Sequence, residues 1–497
     1  MAFKVQKRTV LVIGAGIGGI AAAARLARAG YRVRVVEKCE KSGGRCGQMT
    51  VQGHRFDTGA SLFLMPELYA ETYSALGERM EDHLDLRRID PTYHLYFQDD
   101  TQFQLTSDLH KMRSQVEAIE PGSFERLLHY LGEGHRHYEL SLPGLINRDF
   151  RSLPDFINPR MMLLFLQLKA FTQHAGYASR FFKTPKLQMA FTFQDMYMGL
   201  SPYESPATYS LMQYTELSDG LYYPMGGMYR ISETLTAIAE KLGVEFRYNA
   251  PVEKILVDRK RATGVVLSDG QTLTADIIVA NADLGYVYRS LLPDEDAADR
   301  IDRKEYGCST LMFYWGLDKP YPQLGPHNLF FSGDYRQGFE DIFKGLTMPE
   351  QPNFYIHAPA RFDPSAAPAG GDSLYVAVPV GHINEQAPQD WSALQKQARA
   401  FVLQRLSGLG MTDLESHIRA EVSFAPPDWK DRYNLTRGSA HGLSHKLTQM
   451  AYFRPHNRHS RYHNLYFVGA STHPGTGVPT VLVSAKLTAQ RIMDEMR

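Results

Sequence analysis

Residues 9–37 read TVLVIGAGIGGIAAAARLARAGYRVRVVE, and this stretch decides the fold. Residues 9–13 (TVLVI) are apolar and β-branched without alternation, the pattern of a short strand buried on both faces. Residues 17–29 are an alanine-rich run that Gly30 stops, as a helix would be, and 31–37 (YRVRVVE) alternate like a second strand. Together they predict a βαβ unit. Between strand and helix, Gly14, Gly16 and Gly19 hold the fixed positions of G-x-G-x-x-G, with Ile17 and Gly18 in the variable ones. The first glycine permits a tight turn, the second lets backbone approach a pyrophosphate, and the third lets the helix pack on the strand. The helix N-terminus then faces the phosphate charge. Glu37, at the end of the second strand, suits ribose hydroxyls and repels a 2′-phosphate, which favours FAD or NAD over NADP.

Working outward, residues 38–45 (KCEKSGGR) run from Lys38 to a pair of bare backbone donors, Gly43 and Gly44, and the planar cation Arg45. Such a loop makes a second phosphate clasp. Near the other terminus, 469–479 (GASTHPGTGVP) lie between an expected strand at 465–468 and an expected helix at 481–496, so their amides can face another polar part of the same ligand. A ligand held from both ends of the chain and clasped twice is expected to be FAD rather than a diffusible nicotinamide.

The 497 residues exceed what one core normally serves, so two or three interleaved lobes are expected. Hydrophobic residues at 43% and charged ones at 22% describe a folded chain throughout. Lys plus Arg equal Asp plus Glu, which leaves no electrostatic footprint for nucleic acid. Three scattered cysteines, Cys39, Cys46 and Cys308, exclude a disulfide framework and a four-ligand zinc site, and no metal is expected. Lys4, Lys7 and Arg8 ahead of an apolar stretch imitate an export signal, but the glycine loop explains that stretch better, so a cytoplasmic setting is expected.

Further along, Ile231, Leu235, Ile238 and Leu242 fall at helical spacing. Strands are expected at 244–248, 252–257, 262–267 and 272–280, with a hairpin turn at 268–271 (SDGQ). Residues 154–159 mark a break before the apolar run 161–171 (MMLLFLQLKAF), too short to span a bilayer. A helix dipping into a membrane surface and a buried core helix both fit it. The expected class is α/β: a Rossmann-type FAD-binding lobe (1–90, 221–300 and 451–497) interleaved with a mixed-sheet substrate lobe (301–450) and a helical, membrane-associating lobe (91–220).

The block through Arg45 resembles the flavin-dependent amine oxidase and carotenoid desaturase superfamily. Residues 55–61 (RFDTGAS), 223–227 (YPMGG), 453–458 (FRPHNR) and 465–486 (LYFVGASTHPGTGVPTVLVSAK) narrow the resemblance to phytoene desaturases of the bacterial and fungal type. So do 191–209 (FTFQDMYMGLSPYESPATY) and 354–359 (FYIHAP), and the match spans nearly the whole chain. The resemblance implies an FAD enzyme that removes hydrogen across C–C bonds of an acyclic isoprenoid, at a membrane surface, with a quinone or oxygen reoxidising the flavin. It implies that Gly14, Gly16, Gly19, Glu37, Gly43, Gly44 and Arg45 hold the ADP and pyrophosphate, that Val252 approaches the adenine, and that Gly469, Ala470, Gly477 and Val478 lie along the ribityl chain and isoalloxazine. Many flavoproteins place an acid where this chain has Ala470, a departure the desaturases share.

Such chemistry asks for hydride removal from an allylic carbon, then loss of a neighbouring proton, so the protein must supply alignment, dryness and cation stabilisation. Aromatic faces suit a passing cation. Phe191, Phe193, Tyr197, Tyr203, Tyr209, Tyr214, Tyr222, Tyr223 and Tyr229 crowd one segment, most of them expected in the core and some along an apolar tunnel. The resemblance also implies a catalytic acid and arginine before the Phe-x-Phe, where Asp149 and Arg151 stand nearest, more tightly spaced than in the family. Glu216 fits a place facing the flavin but is expected to be exposed, His473 fits a base but is expected to shape its turn, and the cluster Arg454, His456, Arg458, His459, Arg461 and His463 fits contact with anionic lipid but is expected to form a solvated loop. Two rivals remain: a flavin oxidase of an amine or another lipid, and a non-catalytic prenyl-binding escort protein, against which the intact glycine loop speaks.

Overall fold

A computed structural model describes residues 8–496; Lys4 and Lys7 lie outside them. The strand Thr9–Ile13 is the centre of a parallel five-stranded sheet in the order Leu465–Phe467, Ile277–Ala280, Thr9–Ile13, Arg32–Val36, Glu245–Arg247. Its register pairs Val10 with Ile277 on one side and Thr9 with Arg32 on the other. The helix Ile17–Arg28 returns over one face, ended by Gly30 at φ 96°. The helices Arg230–Lys241 and Val478–Glu495 flank it, and Ala21, Ala22, Ala23 and Ala24 are fully buried, since small side chains let the three helices approach closely. Three chain segments far apart in sequence therefore build one nucleotide-type lobe.

The expected strand 272–280 is two strands in two sheets. Thr272–Thr274 closes an antiparallel sheet with Val252–Asp258 and Arg261–Leu267, its turn made by Gly270 at φ 81°. Ile277–Ala280 enters the parallel sheet. The chain changes sheet at Asp276, whose carboxylate accepts from the Thr9 amide and hydroxyl, both at 2.8 Å, and so fixes the crossing point.

The second lobe rests on a seven-stranded sheet ordered Ile418–Phe424, Ser309–Leu317, Asp372–Val380, Phe354–His357, His327–Phe330, Tyr93–Tyr96, Gln102–Leu105. Only the His327–Phe330 pairing with Tyr93–Tyr96 is parallel. Ser309–Leu317 is buried on both faces, one packed under the helix Trp391–Gly408 and the other turned toward the nucleotide lobe. Helices from Leu109–Ile119 to Leu211–Tyr214 form the third region. Within it the apolar run at 161–171 is half buried: the helix Pro159–Gln167 turns Met161 and Phe165 inward and leaves Met162, Leu163 and Leu166 outside. Among the described residues no helix is long and apolar enough to cross a membrane.

Candidate functional site: a cleft between the glycine loop and the second sheet

One continuous cavity of about 750 Å³ runs from the glycine loop to the face of the second sheet. Gly14, Gly16, Ile17 and Gly18 line its floor, and the glycines are there because nothing larger fits. A methyl group on Gly14 would stand 2.6 Å from the Asn281 carbonyl oxygen, and one on Gly18 2.8 Å from the Asn281 side-chain oxygen. Gly19 lies below the floor, where a methyl group would meet the Gly14 carbonyl at 2.1 Å; it serves the helix-to-strand packing. The helix Ile17–Arg28 has no acidic side chain in its first turn, so its free amides and positive dipole end remain available to an anion.

Glu37 is buried on the wall of the same cavity. One carboxylate oxygen accepts from the Ala15 amide at 2.6 Å and the other from the Cys39 amide at 2.9 Å. These two bonds fix the side chain and leave lone pairs on both oxygens for diol hydroxyls. Val252 lines the wall beside it, held because the Ala250 amide donates to the Glu37 carbonyl at 2.8 Å. Lys38 also lines the cavity, but its ammonium donates at 2.9 Å to the Asp431 carbonyl and the Asn434 side chain, which anchors the 431–434 loop over this end.

The second clasp abuts the first. Gly43 donates to the Ala15 carbonyl at 2.8 Å, and Gly43 and Gly44 take φ of 121° and 56°, conformations open to glycine. They turn Arg45 onto the cavity wall, where its guanidinium donates to the Ala440 carbonyl at 2.7 Å and forms no ion pair among the described residues. Burial lowers its pKa, with Asp283 and Tyr433 partly offsetting. A desolvated cation without a carboxylate beside a helix N-terminus and bare glycine amides fits a pyrophosphate.

Gly469, Ala470, Gly477 and Val478 line the cavity from the C-terminal side, and Gly477 (φ 113°) caps the helix Val478–Glu495, which begins earlier than the sequence pattern indicates because Pro479 is tolerated in a first turn. Behind them Arg454 is completely buried. Its guanidinium donates to the carbonyls of Ala470 (2.6 Å), Thr472 (3.1 Å), Ser444 (3.1 Å) and Leu443 (3.2 Å), and burial brings its pKa down to about 10. The solvated cluster expected at 454–463 is thus corrected at two positions: Arg454 is a buried strut, because the carbonyls of two irregular loops need a multivalent donor, and His459 is buried with its ring accepting from the Arg461 and Tyr462 amides, while Arg461 and His463 are exposed. His473 is buried behind the turn and does not line the cavity.

Two site residues escaped the sequence reading. Asn281, at the carboxyl end of Ile277–Ala280, donates to the Gly14 carbonyl at 3.2 Å and abuts Gly469, joining the two loops. Asp283 lines the cavity and accepts from Ser471 at 2.9 Å, so a carboxylate reaches the Ala470 neighbourhood from another element. Their position after a parallel strand adjoining the glycine strand was the available signal.

Beyond the loops the cavity becomes a chamber walled by Leu64, Met65, Tyr93, Phe193, Tyr197, Met212, Phe331, Tyr335 and Tyr355. Among the described residues no charged side chain lines this part; Glu37, Lys38, Arg45, Asp283 and Arg432 all stand at the loop end. Of the aromatic cluster in the sequence, Phe193 and Tyr197 reach the wall and the others pack elsewhere. Asp149 and Arg151 do not line the cavity. They pair with each other at 2.7 Å and with Asp494 and Arg491 of the C-terminal helix at 3.0 and 3.6 Å. Glu216 is corrected from exposed to 1% exposed, because a turn folds it inward behind Tyr197.

Comparison with known proteins agrees with this geometry. Residues 17–493 match the flavin containing amine oxidoreductase family. The chain is 45% identical to a zeta-carotene-forming phytoene desaturase of Myxococcus xanthus, over 99% of this chain and 95% of that one. It is 40% identical to a phytoene desaturase of Fusarium fujikuroi over 98% and 90%, and 33% identical to a 4,4'-diapophytoene desaturase of Staphylococcus haemolyticus over 98% and 99%. The fold resembles that of a putrescine oxidase, with TM-score 0.64 at 16% identity over 98% and 99% of the two chains. The chain therefore belongs to the flavin containing amine oxidoreductase family, on its phytoene desaturase branch, and is an FAD-dependent oxidoreductase.

Proposed function

We propose that this enzyme desaturates an acyclic, apolar isoprenoid of the phytoene type, lengthening a conjugated polyene. The observation that carries the reading is the uncharged aromatic and thioether chamber continuous with the FAD loops. An amine substrate would bring an ammonium into a wall without a carboxylate, which costs several kcal/mol. An apolar chain gains from the same wall. Arg45, the glycine loop and Glu37 would hold the dinucleotide, with Asp283 and the 469–478 turn toward its flavin end. Bound there, FAD supplies a two-electron acceptor that takes hydride from a non-acidic C–H bond. The chain's own part is to keep the substrate extended, to exclude water, and to present phenyl and phenol faces to the cation left behind. We give Asp149 and Arg151 a structural role on the C-terminal helix.

The substrate comes from lipid, and the exposed side of Pro159–Gln167 is the surface proposed to meet it. Ile157 (63%), Leu163 (56%), Leu166 (57%) and Phe171 (61%) stand open beside exposed Arg160, and Phe453 joins them through Phe156. A quinone in the same lipid, or oxygen, reoxidises the flavin. Incubation of the FAD-loaded protein with liposomes containing phytoene tests the reading. Visible polyene absorption is expected; flavin bleaching by simple amines with none by phytoene would contradict it.

A further inference from the structure

A buried acid stands behind the aromatic wall, unused by the FAD loops. One oxygen of Glu216 accepts from Thr92 Oγ1 at 3.0 Å; the other accepts from Gln194 Nε2 at 3.4 Å and Tyr197 Oη at 3.3 Å. Gln194 is itself oriented by Gln213 Nε2 at 2.8 Å. Glu216 faces no cation among the described residues. Tyr197 lines the chamber and its hydroxyl bonds to that of Tyr93, which lines it too. One phenol therefore connects the apolar chamber to one enclosed carboxylate.

We propose that Glu216 receives the proton released in desaturation, reached from the chamber through the Tyr197 hydroxyl; this rests on the desaturase reading above. FAD held by the loops would supply the hydride acceptor, and the substrate would then carry an allylic cation. The C–H bond on the neighbouring carbon then breaks, its electron pair becomes the new C=C bond, and the proton passes to Tyr197 Oη while the phenol proton passes to Glu216. Charge balances, since a cation and a carboxylate become a neutral alkene and a carboxylic acid. The chamber wall is apolar and offers no other charged acceptor among the described residues, so the proton needs such an outlet. Tyr197 would be the catalytic residue, and Glu216 acts through it.

The titratable groups facing this relay are few. Tyr93 and Tyr355 are phenols whose pKa burial raises well above the ordinary value, so both stay neutral. His327, 2.6 Å from Tyr355 Oη, is held neutral by burial and by His357 and His94. His441, on the cavity wall near Arg45, is lowered to about 4 by burial. Burial brings Glu216 up to about 7, with Thr92, Gln194 and Tyr197 partly offsetting. It alone among these groups titrates near neutrality.

The test is anaerobic stopped-flow mixing of the full-length holoenzyme with phytoene in liposomes, with polyene absorption, which grows only once the proton has left, followed from acid to alkaline pH. In the wild type the rate is expected to rise with pH to a plateau, with its inflection near 7. Glu216→Gln should abolish the inflection and slow polyene formation roughly 10²-fold, Tyr197→Phe should slow it similarly, and Glu216→Asp should restore part of the rate together with the inflection. Infrared spectroscopy gives a readout independent of turnover: a protonated-carboxyl band should titrate near 7 in wild type, shift upward in Tyr197→Phe, which loses one hydrogen bond to the carboxylate, and be missing from Glu216→Gln. If Glu216→Gln fails to fold, the wild-type band and the Tyr197→Phe rate decide. A wild-type rate in Tyr197→Phe, or an inflection surviving in Glu216→Gln, overturns the relay while leaving the desaturase reading intact. No reduction of wild type by phytoene overturns both.

Discussion

Gly14, Gly19, Glu37 and Arg45 were legible as residues because each carries a local constraint: a turn, a close approach, a strand end, a paired-glycine loop. Gly19 offers a clean contrast. Gly19→Ala must place a methyl group 2.1 Å from the Gly14 carbonyl, so it is expected to lose about 1–3 kcal/mol or more of stability and to purify without flavin. Gly132→Ala, within the helix Ser123–Ser141 and with nothing within 4 Å, should gain about 0.5–1 kcal/mol and keep its flavin. Thermal melts with flavin absorbance compare the two. Glu216 could not be read in this way, since nothing next to it in sequence reveals that Thr92 and Gln194 enclose it. Its raised pKa has a stability consequence. Between the ordinary 4.5 and about 7 the folded state binds the proton and the unfolded chain does not, so this group's contribution is full below 4.5 and declines as pH rises to about 7. The decline is on the order of 3 kcal/mol, and denaturant titrations should show it in wild type and not in Glu216→Gln.

At the scale of elements, periodicity identified the βαβ unit, the helix Arg230–Lys241 and the C-terminal strand and helix. It failed where one continuous β-pattern serves two sheets, as at 272–280, because alternation marks a strand and not its partner. It failed again at Arg454, whose charged and histidine-rich surroundings look solvated although two irregular loops need it as a donor. The helix Pro159–Gln167 was ambiguous in sequence, and the structure leaves one of its faces apolar and open. If that face meets lipid, Leu163→Ser with Leu166→Ser should leave the melting temperature within a degree or two, since both side chains are exposed, and should lower recovery with floated liposomes several-fold. Unchanged flotation would remove the lipid assignment from this helix.

For the whole molecule, the α/β class and an FAD lobe assembled from distant segments followed from the two glycine-rich ends. The seven-strand order did not, since Tyr93–Tyr96 pairs with the distant His327–Phe330, Ile418–Phe424 pairs with Ser309–Leu317, and no local pattern encodes such pairings. The chamber exists only where that sheet faces the nucleotide lobe, which is why sequence indicated aromatic residues without indicating which reach the wall. The central claim is that FAD lies along the glycine floor with its reactive end open to this apolar chamber. Anaerobic addition of phytoene-bearing liposomes to the FAD-loaded protein, with the visible spectrum recorded, tests it most directly. The account predicts loss of the oxidised-flavin band together with growth of polyene absorption; a flavin band unchanged by phytoene, in protein shown to hold FAD, would contradict it.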